Sequence, residues 1–196
     1  MEQQLALFET PEQLPNKYRL FLGIFPDAEA VDLICDQQTA LRDKFRLSGR
    51  LRPRNILHVT LHHIGDYPYI PEQMIASTIE ICARVLASQS SVEVILDHVK
   101  SYRGRPGNLP FVLVNPTGNA ALLEFHRVLV TELIRHRLAK RGDLNFDPHV
   151  TMLYDGISVP EQPVRPVSWR AREVVLILSH LGLTKYDRLK SWSLSE

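Results

Sequence analysis

The sequence predicts an α+β fold built from two similar halves. Three observations carry this. Apolar runs of strand length alternate with segments of helical periodicity, and a comparable alternation resumes near Val92. A His-Val-Thr tripeptide followed by an apolar residue also stands once in each half, at His58–Leu61 and at His149–Met152.

The elements follow in order. Tyr18–Phe25 is a buried strand stopped by Pro26 and Asp27. Asp27 is a helix cap, and Ala30, Val31, Ile34, Ala40 and Leu41 keep near-helical spacing to about Phe45. A basic loop, 49–55, leads into a second strand over Ile56–Ile64, closed by Gly65 and Asp66. After Pro71, Ile75, Ile79, Cys82 and Leu86 mark a helix. Val92–Val99 reads as a strand, 103–110 as a Gly/Arg/Pro loop and Phe111–Val114 as a short buried strand. Leu122, Leu123, Phe125, Leu129 and Leu133 line one side of a helix expected over Ala120–Arg141, with Gly142 as its stop. Phe146–Tyr154 is extended. The three prolines between Gly156 and Pro166 suggest a surface connection, and Glu173–Leu183 with Tyr186–Leu194 suggest a closing hairpin.

At 196 residues the chain has the length of one domain. Residues 1–16 carry Glu2, Glu9 and Glu12 and no basic residue, and read as a flexible extension. Without them the net charge moves from +1 to +4, so 17–196 is a mildly basic domain. This balance disfavours a wholesale polyanion binder but permits a local phosphate site. The aliphatic run Val174–Leu178 is far too short to span a bilayer. The first residues show no basic segment followed by an apolar core, so no secretory signal is expected. Cys35 and Cys82 fit reduced thiols in a cytoplasmic protein.

The chemistry lies in the repeated tripeptide. A chain with eight His and eight Thr gives about one third of a His-x-Thr pair by chance; two copies with the same central Val are a stronger signal. Residues two apart on a strand share a face. His58 and Thr60 therefore face a cleft while Val59 and Leu61 pack inward, and His149 and Thr151 repeat the arrangement. One imidazole can take a proton from water and the other can give one to a leaving oxygen. The hydroxyls of Thr60 and Thr151 can donate to phosphate oxygens. Such a set suits phosphodiester cleavage and calls for no cofactor and no metal.

With these residues the chain resembles the 2H phosphoesterases, and within them the RNA 2',3'-cyclic phosphodiesterases, historically named 2'-5' RNA ligases. The resemblance runs from about Tyr18 to Leu194. It includes Arg19-Leu20-Phe21, Leu57–Leu61 with Ile64-Gly65, Pro148–Leu153 and Tyr186–Trp192. It implies a bilobal pseudo-twofold fold, with two antiparallel sheets flanking a central cleft and helices outside. It also implies metal-independent opening of a terminal 2',3'-cyclic phosphate to a 2'-phosphate, with His58 as acid and His149 as base. The implied partner is RNA with such an end, or a cyclic nucleotide, bound by a cytoplasmic monomer without a membrane. The sequence departs from the family at Tyr154, where members often carry an Arg; Arg105 or Lys185 could supply the charge.

Strict alternation also places His62 on the face of His58 and Thr60, as a candidate cleft residue or a partly exposed structural one. His63 falls on the opposite face as a structural residue. His62, Tyr154 and Arg105 are thus the candidate substrate contacts. A zinc site from His58, His62 and His149 is an alternative that a strand disfavours. The basic residues between Arg42 and Arg54 either form a solvated helix end and loop or guide an RNA backbone. The Arg103–Asn108 loop either turns or touches phosphate, and Ser179-His180 reads as a strand end. A non-catalytic RNA-binding module using the same cleft, and a zinc-dependent hydrolase, are the alternative functions.

Overall fold

The computed structural model describes residues 14–196; most of the expected extension 1–16 lies outside the described residues. The chain runs β1 (Tyr18–Ile24), α1 (Ala28–Lys44), a 3₁₀ turn over Arg54–Ile56, β2 (Val59–Tyr67), α2 (Glu72–Leu86), β3 (Val92–Ser101) and β4 (Leu109–Val114). It continues through α3 (Ala120–Arg135), a 3₁₀ turn over Arg141–Leu144, β5 (His149–Asp155), β6 (Gln162–Ala171), β7 (Glu173–His180) and β8 (Lys185–Ser193).

The strands lie in the order β6-β3-β4-β5-β2-β1-β7-β8, and every pairing is antiparallel. The two four-stranded halves, β6-β3-β4-β5 and β2-β1-β7-β8, meet through one residue pair, Val59 with Val150. The two expected sheets are thus joined at a narrow seam, and its paired residues are the central valines of the two His-Val-Thr copies.

All three helices cover one face. Leu20, Leu22, Val59, Val150, Val174 and Leu176 join Ile34 and Leu41 of α1, Cys82 and Leu86 of α2, and Leu122, Leu129 and Leu133 of α3 in one core. A small second cluster, Phe21, Val175 and Ile177 with Phe25 and Tyr186 against it, covers part of the opposite face. Asp27 caps α1 as expected, its Oδ1 accepting from Ala30 N at 2.9 Å.

Two expectations need correction. The third helix ends at Arg135 rather than Arg141. Arg137 adopts φ 60°, its N–H donates to Ile134 O, and Leu138 N donates to Leu133 O at 2.8 Å. That closes the helix with a Schellman turn in which an arginine takes the left-handed position glycine usually fills. Gly142 instead sits in the following 3₁₀ turn. The connection read through Pro166 is in part strand β6, which starts at Gln162. Its prolines are tolerated because β6 is an edge strand, and Pro166 falls in the irregular stretch between the pairs Leu96 with Val167 and His98 with Pro163.

Candidate functional site

The face opposite the helices carries a cleft of about 280 Å³. Its lining includes His58, Thr60, His149, Thr151, Arg19, Arg52, His63, Tyr154 and Tyr186. Both histidine–threonine pairs therefore meet in one cavity, as the spacing predicted. The two halves hold them alike. His58 Nδ1–H donates to Ile56 O at 2.7 Å, and His149 Nδ1–H donates to Asp147 O at 2.8 Å. A carbonyl oxygen can only accept, so Nδ1 carries the proton in each ring and Nε2 is left for chemistry.

Thr60 Oγ1 lies 3.0 Å from His58 Nε2. While Nε2 is unprotonated the hydroxyl donates to it. Once Nε2 gains a proton the direction reverses and the hydroxyl proton is freed for another acceptor. The His58 ring packs against Phe21 at 4.8 Å, Phe25 at 5.7 Å and Tyr186 at 5.5 Å between ring centroids. That enclosure strips water from the imidazolium and lowers the pKa to about 4. The bond to Ile56 O opposes the shift, and the charge of Arg52 and the His149 ring reinforce it. With its pKa so lowered, the His58 ring is neutral at neutral pH. On the other side, Tyr102 packs edge-on to His149 at 5.0 Å and donates its hydroxyl to Asp147.

Alternation fails just beyond each threonine, and it fails the same way twice. In β2, Leu22 pairs with His62 and Gly23 with Thr60, leaving Leu61 as an extra residue. In β5, Phe111 of β4 pairs with Leu153 and Val112 with Thr151, leaving Met152 extra. Each bulge shifts the phase by one, so the third residue after each threonine returns to the cleft. Those residues are His63 and Tyr154. His62 is turned into the core, where it is 5% exposed and donates Nε2–H to Leu138 O at 3.0 Å. The expectation for His62 is therefore corrected in favour of His63. The same turn keeps His62 out of any three-histidine set with His58 and His149, and no metal-binding cluster occurs among the described residues.

His63 belongs to a charged network at the rim. Asp66 accepts from Arg19 at 2.8 and 2.7 Å and from His63 Nε2 at 2.9 Å. The Arg19 hydrogen bonds, helped by His63, hold the Asp66 carboxyl down at about 2 against its burial. Tyr154 lines the cleft as expected, but Arg105 and Lys185 do not. Arg105 closes its own turn with Asn108, and Lys185 pairs with Asp187 at 3.4 Å.

Arg52 is the cleft residue that sequence reasoning left inside a general basic stretch. Its backbone is stitched to the other half of the sheet. Arg52 N donates to Met152 O at 2.8 Å, and the buried Gln38 amide donates to Met152 O at 2.9 Å and to Arg52 O at 3.3 Å. A few residues earlier, the Asp155 carboxylate accepts from Ser48 N at 2.6 Å and Gly49 N at 2.7 Å. Burial pushes the Asp155 pKa up, but the Ile157, Gly49 and Ser48 N–H donors outweigh it and leave it lowered. The signal that could have found Arg52 was its position ahead of His58 at the end of the basic loop.

Solved structures share this fold. E. coli LigT complexed with NADP+ matches with a TM-score of 0.69 at 24% identity, covering 93% of this chain and 100% of that one. A Thermus thermophilus protein matches with a TM-score of 0.68 at 24% identity, covering 90% of this chain and 97% of that one. Usb1 of Kluyveromyces marxianus matches with a TM-score of 0.50 at 12% identity, over 92% and 98%. No curated protein matches in sequence. The family model described as the 2'-5' RNA ligase superfamily matches residues 30–189 and so takes in both histidine–threonine strands. The chain belongs to the 2'-5' RNA ligase superfamily of 2H phosphoesterases.

Proposed function

We propose that this protein hydrolyses 2',3'-cyclic phosphodiesters, at RNA ends or in small cyclic nucleotides, to 2'-phosphates. The observation that carries the reading is the pair of imidazoles in one cleft, each with Nδ1 bound to a carbonyl and each two residues from a threonine that lines the same cleft. His149 Nε2 takes a proton from water as its oxygen attacks phosphorus. The bond from phosphorus to the 3'-oxygen breaks, and His58 Nε2 gives that oxygen its proton. Thr60 and Thr151 donate to the non-bridging oxygens as charge builds on them. The residues described supply both proton transfers themselves, so the proposed reaction calls for no metal, and a 5'-hydroxyl attacking phosphorus in place of water would join two ends by a 2'-5' bond.

The lowered pKa of His58 supports one order of events. His58 gains its proton as an anionic phosphate arrives, because a negative charge beside the ring favours imidazolium. That protonation frees the Thr60 hydroxyl for phosphate. E. coli LigT, which has the same fold, is known in complexes with 3'-AMP and with phosphate. The purified protein is expected to open 2',3'-cyclic AMP to the 2'-phosphate in EDTA with a bell-shaped pH profile. His58→Ala and His149→Ala are each expected to lose about 10²–10⁴-fold in rate. Full activity in both single variants rejects the reading. Salt-sensitive RNA binding with no change at the RNA terminus would favour the binding-module alternative instead.

A further inference from the structure

We propose that Arg52 is the cation that grips the reacting phosphate, with Gln38 and Asp155 as positioning residues that hold it across the seam of the sheet. The proposal rests on the reading of the cleft as a phosphodiesterase site and names a residue that reading did not use.

Two arginines line the cleft, and they differ in what they already hold. Arg19 is engaged by both oxygens of Asp66. Arg52 has no carboxylate within salt-bridge distance among the described residues. Its half-buried guanidinium lies beside the Tyr186 hydroxyl and acts on the His58 ring. A half-buried cation facing an imidazole that must itself become charged is unfavourable without an anion between them. An incoming phosphate removes the conflict, since one anion satisfies both. The guanidinium fork matches two non-bridging oxygens, which a point charge does not.

The position is built. Of the other basic residues nearby, Arg42 pairs with Asp43, Arg54 with Asp32, and Lys44 reaches Gln162. Arg52 alone of the stretch from Arg42 to Arg54 lines the cleft. It comes from the α1–β2 connection, yet its main chain is bonded to β5 one residue past Thr151. Gln38, 2% exposed, spends its amide on the carbonyls of both Arg52 and Met152. Ser48 and Gly49 are tied to the Asp155 carboxylate. The cation is thus fixed relative to the second threonine rather than to its own neighbours in sequence. Tyr154, on the same strand, faces the same cleft without a charge.

The test uses the full chain and 2',3'-cyclic AMP. Arg52→Ala is expected to lower kcat/KM about 10²–10³-fold, and Arg52→Lys by less. Millimolar guanidinium ion should restore part of the Arg52→Ala loss and none of a His149→Ala loss. Tyr154→Arg should recover activity in the Arg52→Ala protein by returning a charge to the cleft. Gln38→Leu should lower kcat/KM in the wild-type background and have little further effect on top of Arg52→Ala; a merely structural role would show the same loss in both. Wild-type kcat/KM in Arg52→Ala, or a loss that guanidinium does not relieve, overturns the proposal. If the wild-type protein turns over no cyclic substrate, the functional reading fails on its own. Inorganic phosphate binding then decides for Arg52: unchanged affinity in Arg52→Ala overturns the proposal, and weakened affinity supports it.

Discussion

Replacing Gly49 by alanine tests whether the connection from α1 is truly pressed onto β5. A Cβ at Gly49 would lie 2.0 Å from Tyr154 O and 3.0 Å from Tyr154 C, both main-chain atoms that cannot rotate away. To bring the oxygen contact to even 3.0 Å the turn must lift by about 1 Å. The donations from Ser48 N and Gly49 N to Asp155, now 2.6 and 2.7 Å, would then stretch beyond about 3.5 Å and cease to be hydrogen bonds. Bonds to a charged acceptor contribute about 1.5–3 kcal/mol each, so losing two should make Gly49→Ala cost about 3–6 kcal/mol. Urea unfolding followed by circular dichroism measures this. Gly142→Ala is the control, because its Cβ would meet nothing within 4 Å, and it should stay within about 0.5 kcal/mol of wild type. The remaining activity of Gly49→Ala should fall with its stability, because the same strap carries Arg52. A Gly49→Ala protein within about 0.5 kcal/mol of wild type would refute the clamp.

Other outcomes follow from the same geometry. Thr60→Val and Thr151→Val should each lower kcat on 2',3'-cyclic AMP by about 10²-fold while leaving thermal stability nearly unchanged. The His58 ring, followed by NMR, should titrate near 4 in the free protein and at higher pH when inorganic phosphate is bound; an unchanged midpoint would separate the ring from the phosphate. His126 is 2% exposed and stacks on Phe146 at 3.9 Å. Burial lowers its pKa to about 4, against a hydrogen bond to Leu61 O and with help from His62. Its neutral form is favoured in the folded state, so its contribution is complete above about pH 6.5 and is lost as pH falls toward 4, by up to about 1.4 kcal/mol per pH unit. His126→Gln should flatten that acid-side decline in urea midpoints; an equal slope in both proteins would count against it.

The sequence carried the elements whose period is unbroken. The strand opening at Tyr18, the Asp27 cap and the two His-Val-Thr faces are local, and local patterns survive folding. What it concealed depends on partners. The bulges at Leu61 and Met152 are register events between strands, so nothing in β2 alone exchanges His62 for His63. Arg52 looked like one of six basic residues because the bonds that single it out come from Gln38 and Met152, distant in sequence. Strand β6 was masked by its prolines, which only an edge position excuses. The end of α3 was misplaced because Arg137 takes a conformation that composition assigns to glycine.

The single pair at Val59 and Val150 has a mechanical consequence. A ladder of many rungs resists bending across its width; one rung leaves that resistance to contacts outside the ladder. Helix α1 follows β1 of one half in the chain but is bonded to the other half, with Gln37 bonded to Arg165 O, Gln38 to Met152 O and Lys44 to Gln162. The width of the cleft is therefore held by a helix on the far side of the sheet and by the Arg52 strap, as the spine of a book holds its covers. Each valine sits between a histidine and its threonine, so the one pair also sets where the two histidine–threonine sets stand relative to each other.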